Sequence, residues 1–404
     1  MVSRYRSVLS VPGSTRLLGT ALVGRLPQGM ASLAILLLVR GSTHSYALAG
    51  LAVGAYTLAS ALCAPVQGRL VDRFGRGRVL LPGALGHGIG LLALVLAGTA
   101  GAPGVLLVLL TGAAGALMPP IAPAVRALLR QVFHDPGVRE TAYALDSVVQ
   151  EIVWTTGPMV VALVIAAFSP AAAVLLVGAV CLVGTGLFVQ SPMARMARVD
   201  LGGQPRGRVL ANRELRALLG PVALTGLALG ATEVGLPAVA LHAGSRTASG
   251  VLLAVWSVGS MVGGLLYGAR IWTVALPRRY QLLLMGAVLC TAPLLAARSI
   301  PVAIVGSLLA GLTIAPVFSC QYALVGRTLA PGTETEGFTW VSGALVGGAA
   351  VGMALGGSLV GAGLSAPFAL ACVAMGVAAA LALRARQPQP EPQPQPQLGV
   401  SVSA

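Results

Sequence analysis

The chain has 404 residues, 56% of them hydrophobic and only 9% charged, with a mean hydropathy of +0.87. A soluble protein of this length would carry about a quarter of its residues as charges, and a single anchor cannot raise the whole-chain average this far, so the composition is that of a polytopic membrane protein. The net charge of +15 does not imply a nucleic-acid partner: there is no lysine, and the 26 arginines cluster in alternate loops, which is the pattern of membrane topology.

Residues 1–16 (MVSRYRSVLSVPGSTR) are polar and lead into a full-length apolar run, so no cleavable signal peptide is expected. Twelve spans follow, at 17–39, 45–67, 79–99, 103–128, 142–167, 170–189, 216–240, 247–270, 279–297, 300–323, 338–361 and 365–383. Each is near the roughly 20 apolar residues that cross a bilayer core as helix, and none alternates as barrel strands do, so an all-α membrane protein is predicted. With the N-terminus inside, 22 arginines lie on inside segments and three outside (Arg40, Arg246, Arg298), while Arg25 falls within span 1. This ratio places both termini in the cytoplasm and the chain in the cytoplasmic membrane, among lipid.

Between spans 6 and 7 the apolar pattern stops, and residues 190–215 read as a basic cytoplasmic linker that separates 17–189 from 216–383. The two halves share an order of short matches: Leu17-Leu18-Gly19 with Leu218-Leu219-Gly220, Gly41-Ser42 with Gly244-Ser245, Gly68 with Gly268, and Pro136-Gly137 plus Glu140 with Pro331-Gly332 plus Glu336. Their near-constant offset predicts a parallel repeat of the kind transporters use. Residues 384–404 are a proline- and glutamine-rich tail, expected to be extended, solvated and without a fold.

Cys63, Cys181, Cys290, Cys320 and Cys372 are scattered singly, and the four histidines stand apart from other ligands. Neither a metal site nor a cofactor is expected, and no convergent set of His, Asp, Glu or Cys supports an intramembrane enzyme.

Between spans 2 and 3 stands Gly68-Arg69-Leu70-Val71-Asp72-Arg73-Phe74-Gly75-Arg76-Gly77-Arg78. In a chain of six plus six helices this loop resembles the signature of the major facilitator superfamily. The resemblance implies two six-helix bundles that rock about a central cavity, and a monomer. It also implies that Asp72 lies near the cytoplasmic start of helix 11, where free N–H groups and the helix dipole favour an anion. Arg73 and Arg76 would bridge to helix ends or lipid headgroups. Efflux members of the family place an arginine four residues before a glycine in helix 4; if Gly112 is that glycine, Val108 holds the position. The antiporter motif of helix 5 survives as Gly157-Pro158.

Ionisable residues inside a span are functional hypotheses by default. At 1.5 Å per residue Arg25 lies about 12 Å from the cytoplasmic end, and Asp146 and Glu151 lie about 6 and 14 Å from it. A buried Arg25 with Glu151 or Asp146 as counter-ion accommodates all three, and the group is a candidate for proton coupling or substrate contact. Glu233 stands beyond the midplane of span 7, and the resemblance, which puts helices 1, 4, 7 and 10 around the cavity, adds it to the candidates. The expected function is a transporter that exports a small amphipathic molecule in exchange for protons. A nutrient importer or uniporter of the same fold is the alternative, and a non-transporting sensor or enzyme a third class.

Overall fold

A bilayer offers no hydrogen bonds to a backbone, so long apolar runs are driven to helix, which satisfies its own N–H and C=O groups. The computed structural model describes residues 2–196 and 209–384; the parts of the linker and tail readings that fall at 197–208 and 385–404 lie outside the described residues. Every element among the described residues is helical. Eleven segments are long and apolar enough to cross a membrane, and a twelfth apolar helix follows them.

Spans 1 to 6 are Ser14–Thr43, Tyr46–Phe74, Arg76–Thr99, Gly104–Val132, Pro136–Ala167 and Pro170–Gln190. Spans 7 to 12 are Arg213–His242, Arg246–Ala269, Leu276–Ala296, Ile300–Thr328, Glu334–Ala362 and Ala366–Arg384. Several exceed the expected ranges at their polar ends. Hydrophobicity marks only the bilayer core of about 30 Å, whereas a helix of 30 residues is about 45 Å long and continues through the interface. Starts are fixed by side chains that accept from first-turn N–H groups: Ser45 from Leu48, Asp135 from Val138, Ser169 from Ala172, Asn212 from Glu214 and Leu215, and Ser245 from Ala248.

The segment expected to be a loop of about ten residues is a helix almost throughout. Span 2 runs to Phe74 and span 3 starts at Arg76, leaving Gly75 alone between them at φ 90° and ψ 154°. That region is essentially confined to glycine, so one residue makes the turn. Charge here marks the exit from the bilayer, not the end of the helix.

Spans 4 and 10, the fourth helix of each half, are both broken. Span 4 divides into Gly104–Ala116 and Ile121–Val132 around Pro119 and Pro120, and span 10 into Ile300–Gly311 and Ile314–Thr328. Pro123 and Pro316 both sit in the first turn of the second segment, where a missing N–H costs no intrahelical bond. Span 4 runs past its expected end at 128, so Arg126 and Arg130 both lie on its second segment, Ile121–Val132.

Two bundles result, spans 1–6 and 7–12. Within them small residues allow backbones to touch. Gly29 of span 1 meets Gly157 of span 5, where a Cβ on Gly157 would stand 2.6 Å from the Gly29 carbonyl carbon. Gly348 and Gly352 of span 11 face the carbonyls of Ala223 and Leu227 in span 7, and Gly259 and Gly263 of span 8 face those of Leu308 and Leu312 in span 10.

The bundles meet at two related crossings. At one, Gly68 of span 2 lies against span 11, where an added Cβ would be 2.9 Å from Thr339 Oγ1 and 3.0 Å from Glu336 Cα. At the other, Gly268 of span 8 lies against span 5, where it would be 2.7 Å from Ala144 Cβ. The repeat pair Gly68 and Gly268 thus occupies the same structural role in each half.

Candidate functional site

The two crossings form a polar clamp at the arginine-rich face. Asp72, one turn beyond Gly68, accepts the backbone N–H of Thr335 at 3.1 Å and of Glu336 at 2.9 Å. These are first-turn groups of span 11, which its own N-cap residue, Thr333, leaves without a side-chain acceptor. Asp72 therefore caps a helix of the other bundle. Beside it Arg69 grips Glu336 with both arms of its fork, Nε to Oε2 at 2.9 Å and Nη2 to Oε1 at 2.6 Å. Arg130 of span 4 reaches Glu334 at 3.2 Å and the Leu329 carbonyl at 2.6 Å.

Across the second crossing, the Thr141 hydroxyl donates to the Gly268 carbonyl at 3.1 Å, and Arg279 pairs with Glu140 at 2.8 Å. The short helix Val2–Leu9 closes over this point: Arg4 donates to the Arg270 carbonyl at 3.0 Å and the Tyr5 hydroxyl donates to the Leu265 carbonyl. Of the other residues of the signature segment, Arg76 is buried and donates to Gln131 at 2.6 Å within the first half, while the Arg73 guanidinium stacks over Phe74.

Deeper in the first half lies a buried triad. Arg25 Nη2 meets Asp146 Oδ1 at 2.5 Å, and Arg126 Nε meets Asp146 Oδ2 at 2.9 Å. Of the two counter-ions open to Arg25 in sequence, the structure pairs it with Asp146 alone. Span 1 reaches the triad because Gly29 and Gly157 bring it against span 5 one turn further on. Glu151 turns away from the triad and crosses to the other bundle, where the Ser260 hydroxyl donates to its Oε1 at 2.9 Å. It is the one buried acid among the described residues whose partner is a hydroxyl and neither a cation nor a backbone N–H. Glu233 is exposed on span 7 and makes no hydrogen bond or ion pair among the described residues, so the structure does not join it to the other acids.

Sequence reasoning missed Arg69, Arg126 and Arg130 as the partners of Glu336, Asp146 and Glu334. Arg126 and Arg130 are four residues apart and hence on one helix face, which was the available signal; no arginine stands at Val108.

The family model for the Major Facilitator Superfamily matches residues 17–231 and again 218–402. The chain belongs to the Major Facilitator Superfamily. Over 388 residues it is 27% identical to an uncharacterized MFS-type transporter, y4rN, of Sinorhizobium fredii (strain NBRC 101917 / NGR234), with 93% of this chain and 95% of that protein covered. Over 93 residues it is 37% identical to the puromycin resistance protein pur8 of Streptomyces alboniger, a match to 23% of this chain and 18% of that one. Superfamily folds of known structure superpose along nearly the whole chain. A bacterial homologue of the iron transporter ferroportin in an outward-facing state gives a TM-score of 0.75 at 14% identity, covering 92% of this chain and 98% of that one. The human organic anion transporter MFSD10 gives 0.70 at 20% identity, covering 92% and 99%. At these identities the likeness is one of fold. For this superfamily member, every cross-bundle hydrogen bond and ion pair described above lies between the arginine-rich face and the level of Glu151, midway along span 5.

Proposed function

We propose that this chain is a secondary transporter of the cytoplasmic membrane that exports a small amphipathic molecule by alternating access, in exchange for protons and as a monomer. The arginine distribution supports a cytoplasmic location for the clamped face, so the structure corresponds to the state sealed from the inside.

The observation that carries the reading is the placement of Glu151. Its carboxyl spans the two bundles with a hydroxyl partner only, so a proton can enter or leave it without breaking an ion pair. Protonation there changes a cross-bundle contact directly, which is what coupling requires. Asp146, by contrast, is held on both oxygens by arginines and acts as a fixed charge. The partial likeness to a puromycin resistance protein supports outward transport and puts puromycin in the first test panel.

The test uses purified protein in liposomes with an internal pH dye, challenged with a panel of amphipathic compounds. Compound-driven proton movement opposite to the compound is expected for wild type and should vanish in Glu151→Gln. Unchanged flux in both Glu151→Gln and Glu233→Gln removes the proposed carriers, and protons moving with the compound replace export by import.

A further inference from the structure

The triad sets two guanidiniums on the single carboxylate of Asp146, one on each oxygen. Its formal charge is +1, in a place where an uncompensated cation is costly. Arg25 is 0% exposed, yet its Nε and Nη1 have no hydrogen-bond partner. A strut between spans 1, 4 and 5 needs one arginine, not two with idle donors.

The Arg126 guanidinium also reaches the other bundle. Its guanidinium carbon lies 3.9 Å from the centre of the Tyr322 ring in span 10, and Nη1 lies 3.4 Å from Ser342 Oγ in span 11. Both partners are neutral. Tyr322 in turn belongs to an aromatic cluster, 6.0 Å from Phe318, 6.4 Å from Phe338 and 6.3 Å from Tyr143 between ring centres. Glu151 is held by Ser260 and forms no ion pair with either arginine.

We infer that Arg25 and Arg126 form the docking site for the anionic end of the transported molecule, and that this molecule is an aromatic carboxylate. The triad belongs to one bundle and its cover to the other. Separation of the bundles at the arginine-rich face withdraws Tyr322 and Ser342 from Arg126 and exposes fork-shaped donors that bind a carboxylate bidentately. The bound monoanion neutralises the excess charge, and its ring lies among the aromatic side chains that Tyr322 gathers. Closure returns the Tyr322 ring to Arg126 and displaces the anion. The direction of travel rests on the export reading; the site does not.

The test is thermal unfolding of the purified full-length chain with 2-naphthoate, its neutral amide 2-naphthamide, sodium chloride and inorganic phosphate at matched ionic strength. Saturable stabilisation is expected from naphthoate alone. Arg126→Lys keeps the charge and loses the fork, and should raise the half-saturating concentration about tenfold or more. Arg25→Gln and Arg126→Gln should abolish the effect. Tyr322→Leu, which removes the competing cover, should lower the half-saturating concentration. The inference is overturned if naphthoate gives no stabilisation, if naphthamide matches it, if chloride or phosphate reproduces it, or if both Arg126→Lys and Tyr322→Leu bind as wild type. Naphthoate binding of the expected pattern without export in liposomes upholds the site and rejects the export reading. Compound-driven flux without a naphthoate effect rejects the site and leaves export standing.

Discussion

Asp72→Asn isolates the contribution of the trans-acting helix cap. The carboxylate is buried and accepts two backbone N–H groups at 3.1 and 2.9 Å. The amide has nearly the same shape but one acceptor oxygen, and its NH2 group must face an N–H that it cannot accept. One charge-assisted hydrogen bond is lost and the other becomes neutral, a cost of about 2 kcal/mol. All of that cost falls on the clamped state, because the bond exists only there, so the ratio of open to clamped molecules should rise about 30-fold. Spin labels at His134 and Thr273, exposed positions on opposite bundles at the arginine-rich face, report this as a growing long-distance population in pulsed dipolar spectra. Insertion and orientation should be unchanged, since every arginine that sets topology remains, while the transport rate falls because the mutant dwells in one state. A wild-type distance distribution together with wild-type transport would refute the reasoning and leave the segment as a topology signal only.

Three further outcomes follow from the same geometry. Gly75→Ala forces a Cβ into φ 90°, ψ 154° and should cost about 1–3 kcal/mol, seen as a lower unfolding temperature; an unchanged temperature would mean that the turn relaxes. Gly157→Val places a branched side chain where a Cβ alone would stand 2.6 Å from the Gly29 backbone. Spans 1 and 5 should separate, with loss of a monodisperse peak in size-exclusion chromatography; a wild-type profile would contradict the close crossing. Tyr5→Phe removes the bond from the N-terminal helix to the Leu265 carbonyl, worth about 1 kcal/mol, and the same spin-label pair should show about a fivefold rise in the open population.

The twelve helices were legible because a bilayer imposes a length and an apolarity that composition alone reveals. The resemblance of Gly68 to Arg78 to the superfamily signature implied an acid near the start of helix 11, and there the Asp72 carboxylate accepts the N–H groups of Thr335 and Glu336. Where the helices stop was not legible, since Arg69 to Phe74 read as a loop by charge although the helix runs on. Arg126 stood within span 4 as read, 103–128, but was counted only as a topology charge, when it is a buried partner of Asp146. Depth along a span also fixes height but not direction. By height alone Arg25, at about 12 Å, stood nearer Glu151 at about 14 Å than Asp146 at about 6 Å, and only the rotation of span 5 decides that Asp146 faces Arg25 while Glu151 faces Ser260.

The two crossings are related by the repeat, yet only Gly68 is followed one turn later by an acid, Asp72, and the helix caps explain why. Span 5 begins with its own cap, because the Asp135 carboxylate accepts the Val138 N–H at 2.8 Å. A second acid reaching over from span 8 would find that end already occupied; at the position 200 residues after Asp72 stands Trp272, whose Nε1 donates to the Tyr267 carbonyl of its own bundle. Span 11 begins at Thr333 without a side-chain cap and takes Asp72 from span 2 instead. When the bundles separate, span 5 keeps its cap and span 11 loses the one it has. The satisfaction of one helix end is thus tied to the conformational state. The opposite crossing relies on side-chain contacts between the bundles, from Thr141 to Gly268 and from Arg279 to Glu140, that cap no helix end, and on the appended helix Val2–Leu9. An acid introduced at 272 would therefore stabilise nothing, whereas an acid at 135 moved to the position of Thr333 would free span 11 from its dependence on Asp72.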